Sequence, residues 1–259
     1  MNENPPPPEY PQQPPRRIQV AMPYSKPYAT YTLIGVTVFI YLLQLAGQYL
    51  LNLDVAAALG MKVNDLIRQG QLWRLITPLF LHDSTLPYGL LHIGFNMYAL
   101  YLFGRGIEAR FGHGRFLLLY FLSGLAGNVF SFLFTPEASL GASTAVFGLL
   151  AAETVFIIQN RQMLGSAAGR ALSNLFFIAA VNLVFGYVTP GVDNFGHLGG
   201  ILGGILFTWF GGPQWKVEGL YPSLHLIDER EGHGSLAGTL AVLIFFIPLA
   251  ALGWFWIAK

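Results

Sequence analysis

Four polar side chains of a strongly apolar chain have types and spacings that chemistry could use: Ser143 in LGASTAVFG, His197 in DNFGHLGGILGG, and His92 with Asn96 in HIGFN. A serine hydroxyl beside an imidazole is a nucleophile with its general base, the ring taking the hydroxyl proton and returning it to a leaving amine. No carboxylate has evident access to the imidazole, so the arrangement reads as a dyad. His92 and Asn96 stand four residues apart, on one helical face. Both are candidate donors to an oxyanion, together with the Ser143 backbone N–H at a helix start, where the macrodipole favours negative charge. Gly141 allows the preceding backbone to curl close to a substrate. Phe147, one turn beyond Ser143, is placed to stack on the imidazole. Singly, each has a plainer reading: an intramembrane serine commonly bonds its own backbone or fills helix packing, and a lone histidine can be structural.

What must position these groups is a set of apolar helices. Of 259 residues, 54% are hydrophobic and 10% charged, too little polar surface for a water-soluble domain. Apolar runs near 30–50, 90–104, 115–134, 141–159, 171–189, 194–211 and 236–258 approach the roughly 20 residues a helix needs to cross a bilayer. The second is expected to be cut short by Arg105. The runs are continuous in Leu, Phe, Gly and Ala, without the alternation of barrel strands. The expected class is an all-α polytopic membrane protein. Cysteine is absent, which removes disulfides and thiol chemistry, and a net charge of +1 points to no nucleic-acid partner. Residues 1–28 hold nine of the sixteen prolines, a composition of extended, disordered tail. No cleavable leader is expected ahead of the first run.

With the tail cytoplasmic, ten Lys and Arg fall inside (Arg16, Arg17, Lys26, Arg105, Arg110, Arg115, Arg161, Arg170, Lys216, Arg230) and four outside (Lys62, Arg68, Arg74, Lys259), as the positive-inside rule prefers. The second, fourth and sixth runs then all begin at the outer face. At 1.5 Å rise per residue, their polar groups share one shallow layer. Beneath His197 come Gly199, Gly200, Gly203 and Gly204, facing Ala145, Gly148, Ala151 and Ala152 of the fourth run. Small faces permit the close helix approach that a serine–histidine hydrogen bond requires.

In motif order these residues resemble the rhomboid family of intramembrane serine proteases. GQLWRLITPLFLH (70–82) is similar to its Trp-Arg loop, HIGFN (92–96) to its His-x-x-x-Asn, GAST (141–144) to its Gly-x-Ser-Gly, and GHLGGILGG (196–204) to its catalytic-histidine helix. The resemblance implies a six-helix bundle with a seventh, C-terminal transmembrane helix. Its parts would be a Pro-rich cytoplasmic tail (1–28), a catalytic core (29–211) with an interfacial loop 1 (52–89), a cytoplasmic linker (212–235) and the added helix (236–259). It implies cleavage of transmembrane protein substrates within the lipid bilayer near the outer face, without cofactor or metal. By position, Ser143 is the nucleophile, His197 the base, and His92 and Asn96 oxyanion donors; Gly141, Phe147, Gly199, Gly200 and Gly203 support the site. Glu108 resembles a structural glutamate at the inner end of the second helix, and a bacterial plasma membrane is the expected location. Trp73 and Arg74 are expected to anchor loop 1, and the fifth helix (Phe176, Phe177, Phe185, Tyr187) with the loop 189–194 resembles a lateral gate and cap.

Two features depart from a plain protease reading. Thr144 stands where the family has glycine and is expected to crowd the oxyanion region. Glu153, mid-way along the fourth helix, is a costly charge, expected to be protonated or paired with an arginine. The competing functions are a catalytically impaired relative that binds membrane clients, a transporter or channel, and a metal or haem site on His92 and His197. A transporter predicts polar groups at several depths. A metal site lacks a third ligand and a His-Glu-x-x-His helix.

Overall fold

The first helix, α1 (Tyr28–Leu51), has no capping side chain of its own. Its free N–H groups are satisfied from far along the chain: Glu108, fully buried, accepts from Ala29 N (2.8 Å), Thr30 N (2.7 Å) and the Thr30 hydroxyl (2.6 Å). Unpaired donors at a helix start must find such partners. The computed structural model describes residues 23–256; most of the Pro-rich tail, and Lys259, lie outside the described residues. The helix begins inside the segment assigned to that tail, and the Ser25 N–H already donates to Ala109 O (3.0 Å).

Loop 1 is built of short pieces: α2 (Val55–Gly60), capped by Asp54 through Ala57 N (2.9 Å), α3 (Asn64–Arg68), and two 3-10 turns at Leu72–Leu75 and Thr77–Phe80. Arg74 anchors it from within. Only 2% exposed, it donates to Met61 O (2.7 Å), Ala58 O (2.8 Å) and Gln71 Oε1 (2.7 Å). Trp73 is exposed, with its indole N–H on Leu59 O (3.0 Å).

The second run does not end at Arg105. Helix α4 (Tyr88–Ala99) continues through a π-turn (Leu100–Gly104) into α5 (Arg105–Phe134), and the break comes at Gly112, with φ +75°. Arg105 is exposed there and lies over the Tyr101 ring (4.5 Å), a place where its long side chain does not have to be buried. The chain folds back at Gly112: both Tyr88 and Phe134 lie toward the Ser143 end, while Arg110 pairs with Glu153 at the other.

The rest of the bundle comprises α6 (Ser143–Gln159), a short α7 (Arg161–Leu164), α8 (Ala167–Val188), α9 (Asn194–Gly211) and α10 (Gly234–Trp256). By length and composition, Tyr28–Leu51, Tyr88–Phe134, Ala167–Val188 and Gly234–Phe255 can cross a membrane, and α6 is a shorter apolar helix. The architecture is that of a mostly helical polytopic membrane protein. One addition escaped the sequence reading: the linker between α9 and α10 carries an antiparallel hairpin, β1 (Trp215–Glu218) with β2 (His225–Asp228), in register Trp215↔Asp228 to Glu218↔His225.

Helix α6 is buried along nearly its whole length, which is why it is apolar all round. Helix α9 packs against it, and here the glycines divide their work differently from expectation. Side chains at Gly200 and Gly204 would collide with the carbonyl oxygens of Thr144 and Gly148 on α6, but at Gly199 and Gly203 the obstacles are Phe130, Ala126 and Ser123 on α5. Only one pair faces the serine helix; the other seats α9 on α5. Helix α10 closes the third side, where Gly238 meets Phe207 O and Gly211 meets Gly234 O.

Candidate active site

Ser143 is the first residue of α6, and the segment before it is pinned by loop 1 at three points. Lys62 N and O bridge Ser139 O and N (2.9 and 3.1 Å), Gly141 N donates to Pro78 O (3.0 Å), and Ala142 N approaches His82 Nε2 (3.5 Å). Lys62, fully buried, also donates through Nζ to Thr135 O (2.6 Å) and Glu137 O (2.7 Å). Burial lowers its pKa to about 8, against the raising influence of Asp193 and Glu137. Gly141 has φ +136°, and a Cβ there would stand 3.0 Å from His92 Nε2. The position therefore demands glycine on two counts, a conformation disfavoured for L-residues and lack of space.

His197 lies in the first turn of α9, whose start is capped by Asp193: Oδ1 accepts from Gly196 N (2.9 Å) and the Thr135 hydroxyl (2.9 Å), and Oδ2 from Ser131. Burial pushes the Asp193 carboxyl up, but these hydrogen bonds outweigh it and hold the group below the usual carboxylate range. The imidazole Nε2 is 3.0 Å from the Ser143 hydroxyl, and the ring stacks on Phe147 at 4.3 Å between centroids and 24° between planes.

The other ring nitrogen faces Asn194 Oδ1 (3.3 Å). The Asn194 amide nitrogen donates to Leu183 O on α8 (2.9 Å), which fixes the amide so that its oxygen faces the ring. An acceptor opposite Nδ1 places the proton there and leaves Nε2 with a lone pair toward Ser143. That is the tautomer a general base needs.

His92 packs beside Gly141, and its ring meets that of His82 edge-on at 5.0 Å. Asn96 is buried, and its Nδ2 donates to His92 O (2.9 Å). One of its two amide hydrogens is thus turned back on its own helix, and the second makes no hydrogen bond among the described residues. Thr144 does not crowd this side. Its Cβ and Cγ2 press on Gly127 of α5, and Cγ2 on Gly196 of α9, so the side chain points into the helix packing and away from Gly141. Glu153 pairs with Arg110.

Sequence reasoning missed His82, Lys62 and Asp193, and gave Asn194 no role. His82 is fully buried, and burial pushes its pKa down to about 3, so the ring beside Ala142 is neutral. A polar residue directly before a helix, as Asp193 is, was a readable N-cap signal. Nothing local marks Lys62.

Residues 69–214 match the family model described as the Rhomboid domain, a span containing all four motifs. The chain belongs to the rhomboid family. It is 39% identical over 180 residues to "Rhomboid protease GluP" of Bacillus subtilis (strain 168), covering 70% of this chain and 34% of that protein. It is 33% identical over 188 residues to "Rhomboid-like protease 3" of Toxoplasma gondii, covering 72% of this chain and 70% of that one. With "RHOMBOID-like protein 1" of Arabidopsis thaliana the identity is 38% over 174 residues, 66% of this chain and 42% of the relative. The chain thus spans about a third of the Bacillus relative. Rhomboid membership and the long apolar helices make it an integral membrane protein.

Proposed function

We propose that this rhomboid is an intramembrane serine endopeptidase that cleaves peptide bonds in or near transmembrane segments of membrane proteins, with Ser143 and His197 as its dyad. The observation that carries the reading is the 3.0 Å approach of Ser143 Oγ to an imidazole nitrogen whose other side is held by Asn194. Ser143 Oγ attacks the scissile carbonyl carbon as its proton passes to His197 Nε2. The resulting oxyanion takes hydrogen bonds from the Ser143 backbone N–H, His92 and the free Asn96 hydrogen. Collapse breaks the C–N bond, and the protonated imidazole gives its proton to the departing amine. Water, deprotonated by His197, then attacks the acyl-serine carbonyl and restores the hydroxyl. Preorganised donors of this kind act where charge develops.

Ten Lys and Arg against four support a cytoplasmic N-terminus and a site near the outer face of a plasma membrane. The core would run over 29–211, with loop 1 at the interface and α10 as an added span. The two relatives named as proteases support turnover. The ground for an impaired enzyme was Thr144, and its side chain is turned into the α5 and α9 packing. Incubation of the full chain with a panel of single-span membrane proteins tests the reading. Wild type should release two fragments from at least one of them, and Ser143→Ala none. Equal cleavage by both, or cleavage of no member by the wild type, opposes it.

A further inference from the structure

At the end of the bundle opposite Ser143, a crevice of about 570 Å³ opens between the α4–α5 connection, α6 and α8. Its walls are apolar (Leu102, Phe103 and Ala171 among them) apart from Asn174, yet Arg110 and Glu153 stand in it as an ion pair with side chains 23% and 16% exposed. Glu153 lies about 9 Å from the far end of α6 by helical rise, and Arg110 is two residues from the turn at Gly112. With the far end of α6 at the inner membrane boundary, as the proposed orientation has it, that is the depth of lipid glycerol and headgroup. A charge pair left open to hydrocarbon is costly.

The surroundings are basic. Arg105 and Arg170 stand one helical turn before the lining residues Ala109 and Asn174, Arg105 with its guanidinium on the Tyr101 hydroxyl and ring, and Arg161 opens α7 directly after α6. All three are exposed, and none joins an ion pair among the described residues. The nearby carboxylates are Glu153, already paired, and Glu108, buried and engaged with α1 and His113. Arg110 spends Nε on Gly106 O (2.9 Å), one terminal nitrogen on Glu153, and stacks on Phe156 at 4.7 Å. Its other terminal nitrogen makes no hydrogen bond among the described residues.

We propose that this crevice is a binding site for an anionic phospholipid, its phosphate on Arg110 with Arg105 and Arg170 around the mouth, and its acyl chains along the apolar wall between α4 and α8. A basic pocket between membrane helices is the chemistry that selects such headgroups. The site shares no residue with the Ser143 machinery, so it stands or falls apart from the protease reading.

The test is native mass spectrometry of the full chain, released from detergent with equal amounts of phosphatidylglycerol and phosphatidylcholine. Wild type should retain phosphatidylglycerol preferentially, with about fivefold less retained for each arginine removed, as in Arg170→Gln. The double variant Arg110→Gln with Glu153→Gln, which removes the ion pair together, should lower phosphatidylglycerol retention at least as far. Ala171→Trp should fill the crevice and lower retention of phosphatidylglycerol at unchanged charge. Equal retention of the two lipids by wild type, or an unchanged preference in Arg170→Gln and Ala171→Trp, overturns the proposal. So does photo-crosslinking of a transmembrane peptide to residue 171 that added phosphatidylglycerol does not reduce, since the crevice would then be a protein-binding groove.

Discussion

Asn194 Oδ1 faces His197 Nδ1 at 3.3 Å while the same amide holds Leu183 on the neighbouring helix. The ring orientation is thereby tied to α8, the least buried of the long helices, with Ala168, Leu175 and Gly186 as its buried residues. Asn194→Ala removes the acceptor that fixes the tautomer but leaves Phe147 stacked on the ring. One neutral hydrogen bond contributes about 1 kcal/mol, so kcat should fall about fivefold, with KM little changed. Single-turnover cleavage separates the two, and a purely KM effect would contradict the assignment.

Gly141→Ala introduces a methyl group at φ +136° and against His92. Such backbone strain costs about 1–3 kcal/mol, and the displaced donor should lower kcat by roughly 10²-fold. Turnover together with thermal melting checks this. Wild-type turnover in Gly141→Ala would show that His92 does not serve the site.

The α9 seam predicts a graded pattern. Gly200→Ala drives a methyl into the Thr144 carbonyl, whereas Gly94→Ala on α4 meets nothing within 4 Å. Overpacking of this kind costs about 1–3 kcal/mol, so Gly200→Ala should melt earlier and cleave more slowly, and Gly94→Ala should match wild type in both. Equal behaviour of the two would contradict the packing account.

Asp193 supplies a pH signature. Its carboxyl is held below the usual range by Ser131, Gly196 and Thr135, so it contributes stability above the unfolded pKa of about 3.9. That contribution is lost as the pH falls through the lower folded value. Asp193→Ala should cost about 1 kcal/mol near pH 7 through the lost cap alone. Melting curves should converge with wild type at strongly acidic pH. A constant gap between them at all pH values would argue against an ionised cap.

Much of this was legible because a membrane chain advertises itself. Apolar runs locate helices by length, and Ser143, His92 and His197 stand out because polar groups inside a bilayer are rare. The end of the second helix was misread because a long, snorkelling arginine need not end a helix, and the stop is set by the φ of Gly112. The Thr144 direction depends on which way α6 is rotated against α5 and α9, which spacing does not encode. Lys62 and His82 act through bonds to Thr135, Glu137 and Ala142, pairings between irregular segments some sixty to seventy-five residues apart that leave no periodicity. The hairpin strands are four residues each, too short for alternation to speak clearly against the linker composition.

Covalent labelling with a serine-reactive fluorophosphonate probes the dyad most directly, read as an intact-mass increment and located by peptide mapping. The wild type should take up one equivalent on Ser143; Ser143→Ala should take up none, and His197→Ala should react far more slowly. Undiminished labelling of Ser143→Ala, or an adduct mapped to another residue, would contradict the account.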